Sequence, residues 1–251
     1  SLTSLIGLRM GMLAFFINIY NALMMHGVVV FGAPRNILQR RNFFHKTCYS
    51  IGGTILSLDD IEHGVLRANA ASGFLRTRRF KPSDVRHRLA DAVAPMDARI
   101  HFALNCGARS CPPIRVFCTD TLMEDLEGAA QSFCATEVEV QLAARRVVLS
   151  KLFYWYGCDF GDNKIAVLRT ISRWLRGQAS ADAAALLEGG KFKLSYRDYD
   201  WGNNNATVVR QGNNSEATSG SECTDGVCRP PAARSPSHMQ ECEGTSCELN
   251  K

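Results

Sequence analysis

The chain of 251 residues is 46% hydrophobic, ample for a buried core, and carries a formal charge of only +5. Its basic residues fall in short clusters such as Arg40-Arg41, Arg78-Arg79 and Arg145-Arg146, without a long run or interleaved aromatics, which argues against a nucleic-acid interface. Of its cysteines, Cys48, Cys106, Cys111, Cys118, Cys134 and Cys158 are too scattered for a disulfide framework, whereas Cys223, Cys228, Cys242 and Cys247 crowd a polar C-terminal stretch.

Residues 11 to 33 hold no formally charged side chain and are long enough to cross a bilayer. Asn18, Asn21 and His26 would each place polar groups in hydrocarbon, so a core helix is expected instead. Next, CYSI and TILS flank Gly52-Gly53, a pair that tolerates positive φ in a tight turn, and predict a β-hairpin. Ser57-x-x-Asp60 then reads as a capping box opening a helix with Leu58, Ile61 and Val65 as its apolar stripe. Asp59 and His63, spaced i and i+4, share a face of it.

"RIHFALN", residues 99 to 105, alternates strictly and predicts a strand running into a constrained loop, where Gly107 follows Cys106 and Pro112-Pro113 follow Cys111. IRVF reads as a second strand-like piece. Leu122, Leu126, Ala129, Ala130 and Phe133 form one face of a helix over 120 to 134. "VEVQLAARRVVLS" reads as a hairpin, and Ser150 as the cap of a short aromatic helix whose rings are assigned to core packing. Two further helices, the second alanine-rich over 180 to 188, precede an extended "KFKLSYRDYDW".

The expected fold is therefore α+β and helix-dominated: a single globular domain over 1 to 204 with short hairpins or a small, mainly antiparallel sheet. The polar stretch from 205 to 251 is expected to be a disordered tail. It carries the sequons Asn205-Ala206-Thr207 and Asn213-Asn214-Ser215, meaningful only on a secreted chain. A signal peptide ahead of Ser1 is not excluded, and the compartment stays open. No Walker loop, dinucleotide fingerprint or nucleophile elbow is present.

"AFFINIYNA", "YSIGG", "SLDDIEHGVLR", "RIHFALNCGARSCPPIRVF", "LSKLFYWYGCDFG" and "YDWGNN", in this order, resemble the family called domain of unknown function 547 over about residues 11 to 204. Phe16 stands where that family often has tryptophan, and Gly202-Asn203 replaces its usual Ser-Leu. The resemblance implies no established activity. Bacterial members of that family are often exported and eukaryotic members tend to carry the domain at the C-terminal end of larger chains, so the resemblance leaves both settings open, with other domains of a larger chain as the partners it implies in the second. The family's characteristic asparagines, DIEH histidine and cysteine segment correspond to Asn18, Asn21, His63, Asn105, Cys106 and Cys111.

Among chemical readings, a thiol nucleophile ranks first. Cys106, beside a permissive glycine, is preferred over Cys111; His63 is the base, Asp59 its orienting partner and His101 a rival base. Asn18, Asn21 and Asn105 are candidate oxyanion donors. A non-catalytic scaffold, with these groups serving as buried hydrogen-bond networks, ranks close behind. A zinc set of His63, His101, Cys106 and Cys111 departs from the usual Cys-x2-Cys spacing, so no metal or cofactor is expected. A Cys106–Cys111 disulfide, structural or redox-active, ranks lower.

Overall fold

The computed structural model describes residues 2–71 and 77–202, and the backbone of 239–241. It is α+β and dominated by helices, with two small sheets. The first helix, α1 (Leu2–Phe31), is long and apolar enough to span a membrane, yet half of its apolar window is buried against the protein. Leu13, Phe16, Ile17, Tyr20, Leu23 and Met24 recur on its inward face at the three-and-four spacing of a core helix. A Cβ at Gly27 would lie 2.7 Å from Thr47 and 2.8 Å from Phe43, so a bare backbone there lets α2 (Ile37–Lys46) and β1 (Thr47–Ile51) close on α1.

The expected hairpin forms. β1 pairs antiparallel with β2 (Thr54–Ser57), Cys48 opposite Ser57, and Gly52 and Gly53 take the positive φ the turn requires. The capping box also forms: Ser57 Oγ accepts from the Asp60 amide at 3.1 Å, while Asp60 Oδ2 accepts from the Ser57 amide at 3.1 Å. The helix it opens is a π helix over Asp60–Leu66, with i→i+5 bonds such as Arg67 N to Glu62 O at 3.0 Å, a geometry frequent at functional sites. Ile61 and Val65 on it, and Leu58 just ahead of it, are fully buried.

The strand expected over 99 to 105 does not form. Ala98–Phe102 is a 3₁₀ helix, opened by Asp97, whose carboxylate accepts from the Arg99 amide at 3.0 Å. Alternation misleads because residues 100 to 105 are buried on both sides, Ile100 in one apolar cluster and Phe102 in another. IRVF is not a strand either: Phe117 pairs its backbone with the Asn18 side chain, Phe117 N to Oδ1 at 2.9 Å and Nδ2 to Phe117 O at 2.8 Å. A short α3 (His87–Val93) precedes this segment and α4 (Leu122–Glu137) follows it.

The second sheet holds β3 (Val138–Gln141), β4 (Arg146–Leu149) and β5 (Lys193–Tyr196), the first pair antiparallel and the second parallel. Between β4 and β5 run α5 (Leu152–Trp155), α6 (Gly157–Phe160), α7 (Lys164–Ser172) and α8 (Gly177–Gly189). One apolar cluster gathers around α1, the first hairpin and the π helix; the other around α4, the second sheet and α5 to α8. The tail expected over 205 to 251, its cysteines and its sequons lie outside the described residues, apart from β6 (Met239–Glu241), whose backbone pairs antiparallel with β1.

Candidate functional site

Where the two clusters meet, a cleft of about 290 Å³ opens between the π helix, the cysteine loop, α5 and the segment 199 to 201. Tyr20, Asp59, Glu62, His63, His101, Cys106, Cys111, Tyr156 and Tyr199 all line it. A larger hollow of about 500 Å³, beside Phe31, Arg35 and Lys46, contains no thiol, histidine or carboxylate.

The two thiols are free and close, Cys106 Sγ 2.9 Å from Cys111 Sγ, both partly exposed. They are not equivalent. Cys111 Sγ accepts from the Cys106 amide at 3.2 Å and faces the Tyr199 hydroxyl at 3.2 Å, while Tyr199 lies 3.7 Å from Cys106 Sγ. Hydrogen bonding from the Cys106 thiol overcomes burial and, with Tyr199 and the Cys106 and Ala108 amides, pulls the Cys111 thiol down to about 6. The same S–H bond, with burial and the Cys111 charge, pushes Cys106 well above its ordinary value. Tyr199 is pushed up by burial and by both sulfurs, so it keeps its proton and donates.

The loop is held where it must be by backbone lacing. Arg109 N donates to Gly202 O at 2.8 Å, Asp200 N to Ser110 Oγ at 2.9 Å, and Arg40 reaches Cys106 O at 3.3 Å and Trp201 O at 3.2 Å while stacking on the Trp201 ring. Gly107 takes φ +80, which permits the turn straight after Cys106.

Beneath the thiols lies a buried polar seam. Glu62 accepts from the Tyr20 hydroxyl at 2.8 Å and from the Tyr156 hydroxyl. Burial raises its carboxyl, but His63, the two hydroxyls and His101 together outweigh burial and lower it. Arg67 grips Asp159 with two bonds of 2.6 and 2.7 Å, and the neutral His101 donates from Nε2 to Asp159 at 2.8 Å. Against the desolvation penalty, Arg67 and His101 bring Asp159 down to about 2; burial, outweighing Asp159, lowers His101. His63, partly exposed, has Nδ1 3.4 Å from the Arg67 guanidinium, a contact too long to fix its tautomer.

Cys106, Cys111, His63, Asp59 and His101 are thus gathered around one cleft. Asp59 has His45 3.8 Å away, and burial raises its carboxyl. Asn18, Asn21 and Asn105 stand apart from the cleft as latches on backbone: Asn21 binds Ala103 O at 2.9 Å and the Asn105 amide at 2.9 Å, and Asn105 binds Pro112 O at 2.7 Å and the Gly107 amide at 2.8 Å. Among the described residues no group of three or more His, Cys, Asp or Glu side chains is placed to hold a metal ion, so the four-ligand set of the sequence reading is not assembled.

Sequence reasoning missed Tyr199, Glu62, Arg67 and Asp159 as parts of the site. All four carried one signal, a place in the quoted blocks: Glu62 and Arg67 in SLDDIEHGVLR, Asp159 in LSKLFYWYGCDFG and Tyr199 at the head of YDWGNN. The aromatic run 153 to 156 divides: Phe153 is core, as expected, whereas Trp155 at the end of α5 and Tyr156 just past it line the cleft.

A sequence profile of the family described as "Protein of unknown function, DUF547" matches residues 9–134, half of the chain, and covers the π helix and both cleft cysteines. No curated protein and no solved structure matches the chain. The profile match, together with the ordered sequence blocks that the structure brings to one cleft, places the chain in the DUF547 family.

Proposed function

We propose that this protein is a thiol-dependent hydrolase or acyl-transfer enzyme with Cys111 as nucleophile and His63 as base. The observation that carries the reading is the convergence of donors on Cys111 inside an open cleft that also holds a partly exposed histidine. The preference for Cys106 drawn from sequence gives way because the donors point at Cys111 Sγ, and a thiolate is the nucleophilic form. Among the described residues no hydrogen bond joins His63 to Cys111, whose sulfur meets Cys106 and Tyr199; in the proposed reaction the proton of Cys111 resides on His63 across the shared cleft and the thiolate attacks the acyl carbon. His63 returns the proton to the leaving group, then takes one from water, or from an acceptor alcohol or amine, that attacks the thioester.

The test is p-nitrophenyl acetate. A burst of nitrophenolate with an acetyl group located on Cys111 by peptide mass spectrometry is expected, absent in Cys111→Ser and slowed in His63→Ala. Turnover that persists in Cys111→Ser, or acetyl found on other residues only, removes the reading.

The second reading, a non-catalytic scaffold, is supported by the three asparagine latches: Asn18 and Asn21 tie Ala103, Asn105 and Phe117 to α1, and Asn105 closes the loop on itself through Gly107 and Pro112. An inert Cys111 in a folded protein is the result that favours it.

A further inference from the structure

We propose that Cys106 and Cys111 are a reversible dithiol–disulfide pair, closed by a low-molecular-weight disulfide and reopened by thiols, so that oxidation withdraws the cleft's reactive sulfur. The sulfurs stand 2.9 Å apart without a bond, and a disulfide needs about 2.05 Å, an approach of under about 1 Å. Little else must move, because the loop is already tied directly to Asp200 and Gly202 and, through Arg40, to Trp201. The two cysteines also divide the labour of exchange: Cys111 is surrounded by donors that stabilise its thiolate, and Cys106, beside it, holds its proton until needed. Cys48 and Cys134 are buried.

The step balances. The Cys111 thiolate attacks one sulfur of the small disulfide, forming a mixed disulfide and expelling one thiolate. Cys106 then loses its proton and attacks Cys111 Sγ, expelling the second. Two protein thiols are oxidised and one small disulfide is reduced to two thiols. The chemistry requires only a reachable Cys111. Its consequence for activity, loss of the nucleophile, rests on the acyl-transfer reading.

The two failures are separable because the readout is a covalent link. Trypsin cuts after Arg109, which puts Cys106 in peptide 100–109 and Cys111 in peptide 110–115. After the full chain is incubated with oxidised glutathione, acid-quenched and digested without reductant, the two peptides are expected as one linked species that dithiothreitol separates. Alkylation of Cys111 by iodoacetamide is lost and regained in parallel. Cys106→Ser should stop at glutathione on Cys111. Wild-type protein that retains both free thiols, keeps glutathione on Cys111 beside a free Cys106, or links either cysteine to one in the tail overturns the proposal. A linked pair in protein inert to p-nitrophenyl acetate sustains the redox pair while the acyl-transfer reading falls.

Discussion

The cleft above the polar seam and the apolar core behind it each contain a cysteine, and the two show what surroundings do to one functional group. Cys134, on α4 among Phe133, Ala130 and their neighbours, is fully buried, and desolvation pushes its thiol up to about 12. Cys111 is partly exposed in the cleft and is pulled down to about 6. What burial it has opposes the charge, as at Cys134, so burial is not what lowers it. Donors are: a thiol, a phenol and two backbone amides point at Cys111, whereas Cys134 feels only desolvation and the Glu127 charge. The cleft around Cys111 is thus preorganised for charge, and the core excludes it.

That contrast is broken most severely by unpairing the seam. Asp159→Ala leaves the Arg67 guanidinium, 3% exposed, without its carboxylate, and removes the acceptor of His101. A loss of about 3–5 kcal/mol in unfolding free energy is expected from urea denaturation. Cys134→Ala removes one sulfur from apolar packing and should cost less, on the order of 1–2 kcal/mol. Equal costs would show that the seam carries no special electrostatic stake.

The thiols themselves come next. At pH 7 the thiolate fraction favours Cys111 by about five decades over Cys134, and the weaker nucleophilicity of a low-pKa thiolate gives back between two and three. Iodoacetamide should therefore label Cys111 at least about a hundredfold faster than Cys134, with rates read peptide by peptide. Comparable rates would mean that the donor set does not act on Cys111 in solution.

Acid sharpens the same difference. Asp159 titrates near 2 in the folded chain against an ordinary 3.8, so its contribution is fully present above about pH 4 and lost as pH falls through about 2. At about 1.4 kcal/mol per unit that is about 2 kcal/mol. His101, depressed by burial, acts in the same direction: its share is present above its ordinary 6.5 and is lost as pH falls through its lowered folded value. Unfolding free energy measured from pH 7 down to 2 should decline, and Asp159→Asn should flatten the part below pH 4. A profile that rises on acidification would contradict both assignments.

Much of this was legible in residue order where the cause is local. Gly52-Gly53 supplies the turn, Ser57 and Asp60 supply the cap, and Leu122, Leu126, Ala129 and Phe133 supply a helical face, all within a few positions of one another. The stretch 99 to 105 was misread because alternation signals a half-buried strand, while here two cores press on opposite sides and Asp97 closes a 3₁₀ turn. The cysteines and His63 stood out by chemistry. Their partners did not, because Tyr199 is 88 residues from Cys111 and Asp159 is 92 from Arg67; only the packing of α5, α6 and segment 199 to 201 against the first cluster brings them into contact. The asparagines were noticed for the right reason, polar groups on an apolar helix, but a side-chain amide pairs with backbone as readily as with an oxyanion, and sequence does not distinguish the two.

The smallest expected effect isolates one donor. Tyr199→Phe keeps the ring, and with it the packing on Trp155 and Trp201 at 4.9 and 4.6 Å, and deletes only the hydroxyl 3.2 Å from Cys111. A hydrogen bond to a charged group is worth about 1.5–3 kcal/mol, and the Cys106 thiol and amide remain, so the thiol should rise by about one unit. The labelling rate at a single pH is a poor gauge, because a higher-pKa thiolate is the better nucleophile and offsets its own scarcity. The midpoint of the pH–rate curve for Cys111 alkylation is the quantity to follow: near 6 in the wild type, near 7 in the variant. A midpoint unmoved by the substitution would assign the depression of Cys111 to its own loop, with Cys106 and Ala108 as the effective donors and Tyr199 as a wall of the cleft.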